Sequence, residues 1–219
     1  MFTVDHTADL IGHQPAVSRL PAPDAQQRFL TDNYVVLDGL WNVELAEALQ
    51  AEATAQRAVA GPPSDGPVIR VGGARTSQRP AVMTRPGPVL AELHGSLTSF
   101  LRALSARMLV PSQATYTYYE VDEEVRLHVD TPACDVTLIT EVLGKLGPLH
   151  LHPELHGTAT DELVQIEGNS DWDRSSGLPV VYPRLGATIF RGRVLPHHRP
   201  EWPVEGMHAI AALHYRFML

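Results

Sequence analysis

The sequence predicts an α+β fold in which helices come first and β-strands follow. Before about residue 112, two stretches of the chain show the three- and four-residue spacing of apolar side chains that is typical of helices. From residue 114 onward, short segments rich in β-branched and aromatic residues alternate with turn residues. Eight strands at this spacing favour a sandwich or a barrel. With no internal repeat and no break in composition, we expect one domain over residues 1–219.

The first part of the chain divides into an arm and a helical support. Scattered Pro, Ala and Gln predict an irregular N-terminal arm over residues 1–32, and residues 33–112 form the support. The segment NYVVLDGLW (33–41) predicts a strand that ends at a turn. Asn42 then fits the N-cap of the first predicted helix, because an Asn side chain can accept a hydrogen bond from the free N–H groups of the first turn.

A long loop and a second helix follow. The Gly- and Pro-rich stretch 60–80 predicts a loop, and long loops in compact domains are often binding loops. It carries Arg70 and Arg75, which could clamp a substrate carboxylate or simply be solvated charges. A single long helix is predicted from about Pro88 to Leu109, with apolar residues three or four apart along its length.

Residues 113–219 form the predicted β core. Its eight segments are ATYTYYEV, EVRLHV, DVTLITEVL, PLHLHP, ELVQIE, LPVVYP, ATIFRG and AIAALHYRFML.

Composition and charge exclude several classes of function. Formal net charge is −8, from 17 Lys and Arg against 25 Asp and Glu, whereas a nucleic-acid binder needs a basic surface. No run of about 18 apolar residues could span a bilayer, and no stretch reads as a signal peptide. One cysteine excludes an intramolecular disulfide. We therefore expect a cytoplasmic protein that acts on a small molecule, without nucleic acid or membrane as a partner, and able to form a homodimer.

Eight of the eleven histidines follow residue 127. The first of them lies in the stretch EVRLHVDTPACDVTLI. It places His128 and Asp130 two residues apart in a β-like segment, where alternate side chains share a face. A core does not accept an unpaired charge, but a metal ion would explain the pair. Two histidines and one carboxylate form the facial triad of non-haem Fe(II) oxygen chemistry. A surface ion pair is the alternative interpretation.

Three later segments offer the third ligand. They are PLHLHPELHG, with His150, His152 and His156; VLPHHRPEW, with His197 and His198; and the last strand, with His208 and His214. Neighbouring residues near a strand end point in different directions, so spacing alone does not choose between His197 and His198.

The ordered set of motifs resembles the Fe(II)/2-oxoglutarate-dependent dioxygenases, of the small bacterial, prolyl- or phytanoyl-hydroxylase-like type. The resemblance extends from about residue 33 to the C-terminus and depends on YYEVDEEVRLHVDTPACDVTLITEVLG, GPLHLHP and YPRLGATIFRGRVLPHHRP. It implies a double-stranded β-helix, or jelly-roll barrel, of about eight strands with helices packed on it. It also implies Fe(II), 2-oxoglutarate as cosubstrate and O2. His197 is the expected distal ligand, because an apolar strand residue, Phe190, precedes it at nearly the spacing of the family; His198 is the alternative.

The expected cosubstrate site departs from the family pattern. A cation usually holds the far carboxylate of 2-oxoglutarate about ten residues after the distal histidine, but that position falls near His208. The arginines after His198 are Arg199 and Arg216, and Arg216 on the last strand is the expected anchor. Tyr116 or Tyr118 could add a hydroxyl, although cross-strand packing would explain both.

The resemblance also implies the reaction. We expect hydroxylation of an unactivated C–H bond coupled to oxidative decarboxylation of 2-oxoglutarate, with a free amino acid or a natural-product intermediate as substrate. Related halogenases replace the carboxylate ligand by a small residue, so Asp130 favours hydroxylation over halogenation. Desaturation and ring closure stay open. The alternative function is a cupin-like metal-binding barrel, either non-catalytic or a zinc hydrolase.

Overall fold

The computed structural model describes residues 20–60, 70–71, 74–75, 82–119, 124–201, 203 and 205–218, with only the backbone for 70–71 and 74–75. Its helices are α1 (Pro23–Asp32), α2 (Val43–Val59), α3 (Pro88–Ser96), α4 (Thr98–Ser105) and α5 (Thr160–Gly168). Its strands are β1 (Tyr34–Leu37), β2 (Arg70–Val71), β3 (Ala74–Arg75), β4 (Val82–Thr84), β5 (Leu109–Tyr119), β6 (Val125–His128), β7 (Val136–Leu143), β8 (Leu149–Leu151), β9 (Leu178–Val180), β10 (Ala187–Phe190), β11 (His197–Arg199) and β12 (His208–Phe217).

Two antiparallel sheets form the β unit. The major sheet has six strands in the order β1-β10-β7-β12-β5-β4, and the minor sheet has four in the order β6-β11-β8-β9. Strands β2 and β3 pair only with each other. In the part of the chain that is described, neither sheet closes on itself, and the expected jelly roll is seen as two sheets with a shared core between them.

Two hydrophobic cores lie on opposite faces of the major sheet. The larger core joins the helices to one face, with Leu90, Leu101 and Leu213 among its buried members. The smaller core lies between the sheets and contains Ile139 and Ile210 of the major sheet and Leu149 and Leu151 of the minor sheet. Alternate residues of each major strand therefore face the helices or the space between the sheets.

The helical predictions are confirmed in part. Asn42 caps α2, since its Oδ1 accepts a hydrogen bond from the backbone N–H of Leu45 at 2.9 Å. The single long helix is wrong, because the chain forms α3 and α4 with a break at Leu97. Gly95 and Ser96 precede the break; both are weak helix formers, and the Ser96 hydroxyl bonds to the carbonyl of Leu93.

Three other expectations need correction. Residues 23–32 of the expected irregular arm form α1, whereas residues 1–19 lie outside the described part of the chain. The expected strand ELVQIE lies in α5, where Leu163 is the buried residue and two acidic residues in the first turn suit the helix dipole. Strand β11 was missed, because it has three residues and follows a proline. Most of the expected loop 60–80 is not described.

The structure contains no helix, within the described residues, that is long and apolar enough to cross a membrane.

Candidate metal and cosubstrate site

The minor sheet brings two histidines face to face. His128 ends β6 and His197 begins β11, and the two are directly paired across the antiparallel strands. Their ring centroids lie 4.3 Å apart. Asp130 follows in the irregular segment after β6, and its Oδ1 lies 3.7 Å from Nε2 of each ring. One ligand atom from each of the three residues falls within 4.8 Å of the others, which suits a metal ion.

Backbone carbonyls fix the tautomer of both rings. Nδ1 of His128 donates to the carbonyl of Arg126 at 2.7 Å, and Nδ1 of His197 donates to the carbonyl of Leu195 at 3.0 Å. A carbonyl can only accept, so each Nδ1 carries the proton and each neutral ring offers the Nε2 lone pair to the site. Burial, reinforced by His128, lowers the pKa of His197 to about 3, so its lone pair is free at neutral pH.

Asp130 is a carboxylate held from two sides. Burial alone would raise its pKa, but the neighbouring histidine rings and a hydrogen bond from the Thr137 hydroxyl outweigh burial and lower the pKa. Its backbone N–H donates to the carbonyl of Gly192 at 2.8 Å. A Cβ at position 192 would overlap the carboxylate and the Thr137 hydroxyl, so this close approach requires glycine. These contacts, and not a strand, orient Asp130, which lies beyond the end of β6.

His198 points away from the other three residues. It pairs with His150 across β11 and β8 on the outer face of the minor sheet. Its Nδ1 lies 2.9 Å from Nε2 of His152, and its Nε2 donates to the carbonyl of Arg174 at 2.9 Å. Trp172 stacks against this cluster, so the segment after α5 covers the outer face. The structure therefore places His197, and not the alternative His198, beside His128 and Asp130.

The two tyrosines expected at the cosubstrate face the helices instead. The hydroxyl of Tyr116 donates to Glu52 at 2.8 Å, and that of Tyr118 donates to the carbonyl of Ala53 at 2.7 Å. Both belong to the larger core, on the far side of the major sheet from the metal ligands. Tyr119, the next residue on β5, points between the sheets. The choice of Tyr116 and Tyr118 is thus wrong, because the helices cover their face of β5.

The two β12 residues expected near the cosubstrate, Arg216 and His208, differ in their surroundings. Arg216 is exposed at the end of the strand, so it cannot hold a carboxylate inside the protein. His208 is buried, and its Nδ1 accepts the backbone N–H of Lys145 at 3.0 Å. That contact makes the ring part of the turn after β7. The side chains of Arg70 and Arg75, the expected substrate contacts, lie outside what the structure describes.

Arg199 is the functional candidate that the sequence analysis did not choose. Its side chain is 1% exposed, and its guanidinium lies 3.6 Å from the ring centroid of Tyr119. Burial alone would lower the pKa of Arg199, but Tyr119 and Tyr182, which lie close enough to hydrogen-bond to the guanidinium, outweigh burial and raise it. Within the described residues, no hydrogen bond of good geometry reaches its Nε and Nη2. A buried cation with free donors is unfavourable unless an anion completes it. Its position two residues after His197, on the same face of β11, was the available signal.

Comparisons with solved structures identify proteins of the same fold. A prolyl-4-hydroxylase from Pseudomonas putida is 12% identical with a TM-score of 0.62, and the match covers 90% of this chain and 98% of that one. HygX from Streptomyces hygroscopicus, solved with nickel and 2-oxoglutarate bound, is 12% identical with a TM-score of 0.64, covering 91% and 88%. SnoK, a non-haem alpha-ketoglutarate-dependent carbocyclase from nogalamycin biosynthesis, is 11% identical with a TM-score of 0.67, covering 93% and 86%.

These matches support the family resemblance drawn from the His-x-Asp motif and the distal histidine. No family model matches the sequence, and no curated protein matches it significantly. At such low identity the likeness establishes the fold, and the chemistry has to be argued from this chain's own residues.

Proposed function

We propose that the protein is an Fe(II)/2-oxoglutarate-dependent oxygenase with a double-stranded β-helix fold. The observation that carries the proposal is the convergence of His128, Asp130 and His197, with the buried guanidinium of Arg199 two residues farther along the same strand. The solved structures of the same fold include enzymes with iron, or with nickel and 2-oxoglutarate, bound.

The ligand set fits Fe(II). Two imidazole nitrogens and one carboxylate oxygen are the ligands of the facial triad, which leaves three coordination positions open. The tautomers already present His128 Nε2 and His197 Nε2 as lone pairs, and the lowered pKa of Asp130 supplies the negative charge. His197 and Asp130 would therefore bind the ion without first losing a proton at neutral pH.

Arg199 fits the far carboxylate of 2-oxoglutarate. Two residues along a strand rise by about 7 Å, a separation that suits a five-carbon diacid whose 2-oxo acid end reaches the metal. The planar guanidinium can bind a carboxylate through two parallel hydrogen bonds, and within the described residues no hydrogen bond of good geometry reaches its Nε and Nη2. The hydroxyl of Tyr182, beside the guanidinium, is a candidate third donor.

The protein's part in the reaction is to bind, orient and exclude water. When bound, Fe(II) and 2-oxoglutarate would supply the electrons that activate O2 for attack on a C–H bond. His128, Asp130 and His197 hold one side of the ion, and Arg199 fixes the direction of the cosubstrate. Buried apolar side chains between the sheets, Phe190, Leu195 and Leu151, keep bulk water from this region.

We propose hydroxylation of a small molecule as the outcome. Asp130 occupies the position that a halide would need. HygX was solved with hygromycin B bound, and SnoK belongs to nogalamycin biosynthesis, which supports a natural-product intermediate as substrate. A free amino acid is the other candidate, with Arg70 or Arg75 holding its carboxylate.

Succinate release tests the proposal. The protein is loaded with Fe(II) and 2-oxoglutarate without oxygen, where a weak visible charge-transfer band is expected. Air is then admitted with a panel of free amino acids and natural-product intermediates, and succinate is measured. His128→Ala is the matched variant that should lose both signals, and His156→Ala, on an exposed turn, is the control that should keep them. Absence of the band in wild-type protein would refute an oxygenase and favour the metal-binding or zinc-hydrolase alternatives.

A further inference from the structure

The two oxygens of the Asp130 carboxylate have different contacts. Oδ1 lies between the two ligand histidines, while Oδ2 accepts a hydrogen bond from the Thr137 hydroxyl. Gly192 packs so closely against Oδ2 that a Cβ would overlap it. One carboxylate oxygen therefore faces the metal position and the other is enclosed by protein.

The direction of each hydrogen bond follows from counting protons. An ionised carboxylate only accepts, so the single hydroxyl proton of Thr137 goes to Oδ2. The Thr137 oxygen lies 3.1 Å from Nδ1 of His214, and with its proton already committed it must accept there. Nδ1 of His214 consequently carries a proton and donates it. His214 Nδ1 is 4.0 Å from Oδ2, too far for a direct hydrogen bond.

The strands hold this chain of contacts in place. Thr137 on β7 and His214 on β12 are directly paired across the major sheet. The backbone carbonyl of His214 accepts from Nε2 of His94 at 2.8 Å, which ties this point of β12 to α3. The backbone of His214 is thus held in place, and the proton on its Nδ1 points at the hydroxyl oxygen of Thr137.

We propose that Thr137 and His214 are positioning residues that restrict Asp130 to binding the metal through Oδ1 alone. If Oδ2 were free, the carboxylate could turn and bind through both oxygens, occupying a coordination position that cosubstrate or O2 needs. His214 acts through Thr137, by keeping the hydroxyl proton turned toward Oδ2. This inference rests on the proposed iron site and adds how its carboxylate is oriented.

Cobalt(II) binding to the whole protein tests the inference without turnover. Affinity is measured by titration, and the visible d–d absorption reports the coordination number. We expect Thr137→Val to bind cobalt about 10- to 100-fold more weakly, with an altered spectrum, while Thr137→Ser stays close to wild type because it keeps the hydroxyl. His214→Leu should weaken binding less, and His214→Asn should recover part of the loss because its amide can donate from a similar place.

A double-mutant cycle separates positioning from general damage to the fold. If His214 acts through Thr137, His214→Leu should add no further loss in the Thr137→Val background, whereas independent effects would multiply. Unfolding curves in chelator show whether each variant is folded.

Two different results would contradict the proposals, one for the iron site and one for the positioning role. If wild-type protein and His128→Ala bind cobalt equally weakly, the proposed iron site is wrong and the positioning role falls with it. If wild type binds, His128→Ala does not, and Thr137→Val matches wild type in affinity and spectrum, the iron site stands and the positioning role is refuted. Multiplying effects in the cycle would remove His214 from the proposal.

Discussion

Replacing Arg199 by Met should change cosubstrate affinity and protein stability in opposite directions. Methionine keeps much of the length and apolar character of the arginine stem but removes the charge. In the folded protein without cosubstrate, Arg199 is 1% exposed, and two of its nitrogens, Nε and Nη2, lack a hydrogen bond of good geometry within the described residues. Each buried, unsatisfied polar group costs about 1–3 kcal/mol. The lost cation–π contact with Tyr119 offsets about 0.5–2 kcal/mol of that. With two such nitrogens, we expect the free energy of unfolding to rise by up to about 5 kcal/mol.

The same change should weaken 2-oxoglutarate binding strongly. Removing one partner of a buried, hydrogen-bonded charge pair costs about 2–5 kcal/mol. Since about 1.4 kcal/mol corresponds to a factor of ten, the KM for 2-oxoglutarate should rise by roughly 30-fold to several thousand-fold. The substrate KM should change far less. Arg199→Lys should recover only part of the affinity, because lysine keeps the charge but not the planar fork.

Steady-state succinate release gives both KM values, and urea unfolding of the cosubstrate-free protein gives stability. Arg216→Met is the matched control: it removes an exposed guanidinium on β12, and neither measurement should change by more than the error. An unchanged 2-oxoglutarate KM in Arg199→Met would refute the anchor. A raised KM accompanied by loss of stability would show that Arg199 supports the fold instead of waiting for an anion.

Three other predictions concern the metal ligands and their neighbours. His197→Ala should lose Fe(II) in a binding titration, whereas His198→Ala should retain it because its ring lies on the other face of β11; the opposite result would mean that the strand register is wrong. Burial lowers the pKa of His197 to about 3, and burial together with nearby histidines lowers the pKa of His198 to about 4. As the pH falls below 6.5, both rings of the metal-free protein therefore take up protons in the unfolded state before they do so in the folded state. The free energy of unfolding should therefore decrease as the pH falls, by up to about 1.4 kcal/mol per pH unit for each ring. Measured by urea unfolding from pH 7 to 5, it should depend less on pH in His198→Gln than in wild type; equal dependence would contradict the burial argument. Gly192→Ala should reduce metal affinity in the same titration, since its methyl group would overlap the carboxylate of Asp130, and normal affinity would show that the segment relaxes freely.

Local features of the sequence indicated the three candidate metal ligands. His128 and Asp130 are two residues apart, and His197 follows an apolar strand, so short-range pattern and a family resemblance were enough to choose them. The sequence suggested that both side chains lie on one face of a strand, but only His128 belongs to a strand. Asp130 is oriented by Gly192 and Thr137, which are 62 and 7 residues away along the chain and come together only in the folded protein.

Only the tertiary structure pointed to Arg199 as the proposed cosubstrate anchor. Arg216 and Arg199 are both arginines on strands, and alternation says which neighbours share a face but not which face the helices cover. For the same reason the sequence did not show which face of β5 the helices cover: Tyr116 lies in the larger core beside α2 and α3, and Tyr119 lies between the sheets. Strand period is a local property of the backbone, whereas the identity of the inner face depends on which layers pack together. The sequence can therefore show which side chains of a strand share a face. Only the packing of distant segments makes Arg199 a buried cation on the same strand as the candidate ligand His197.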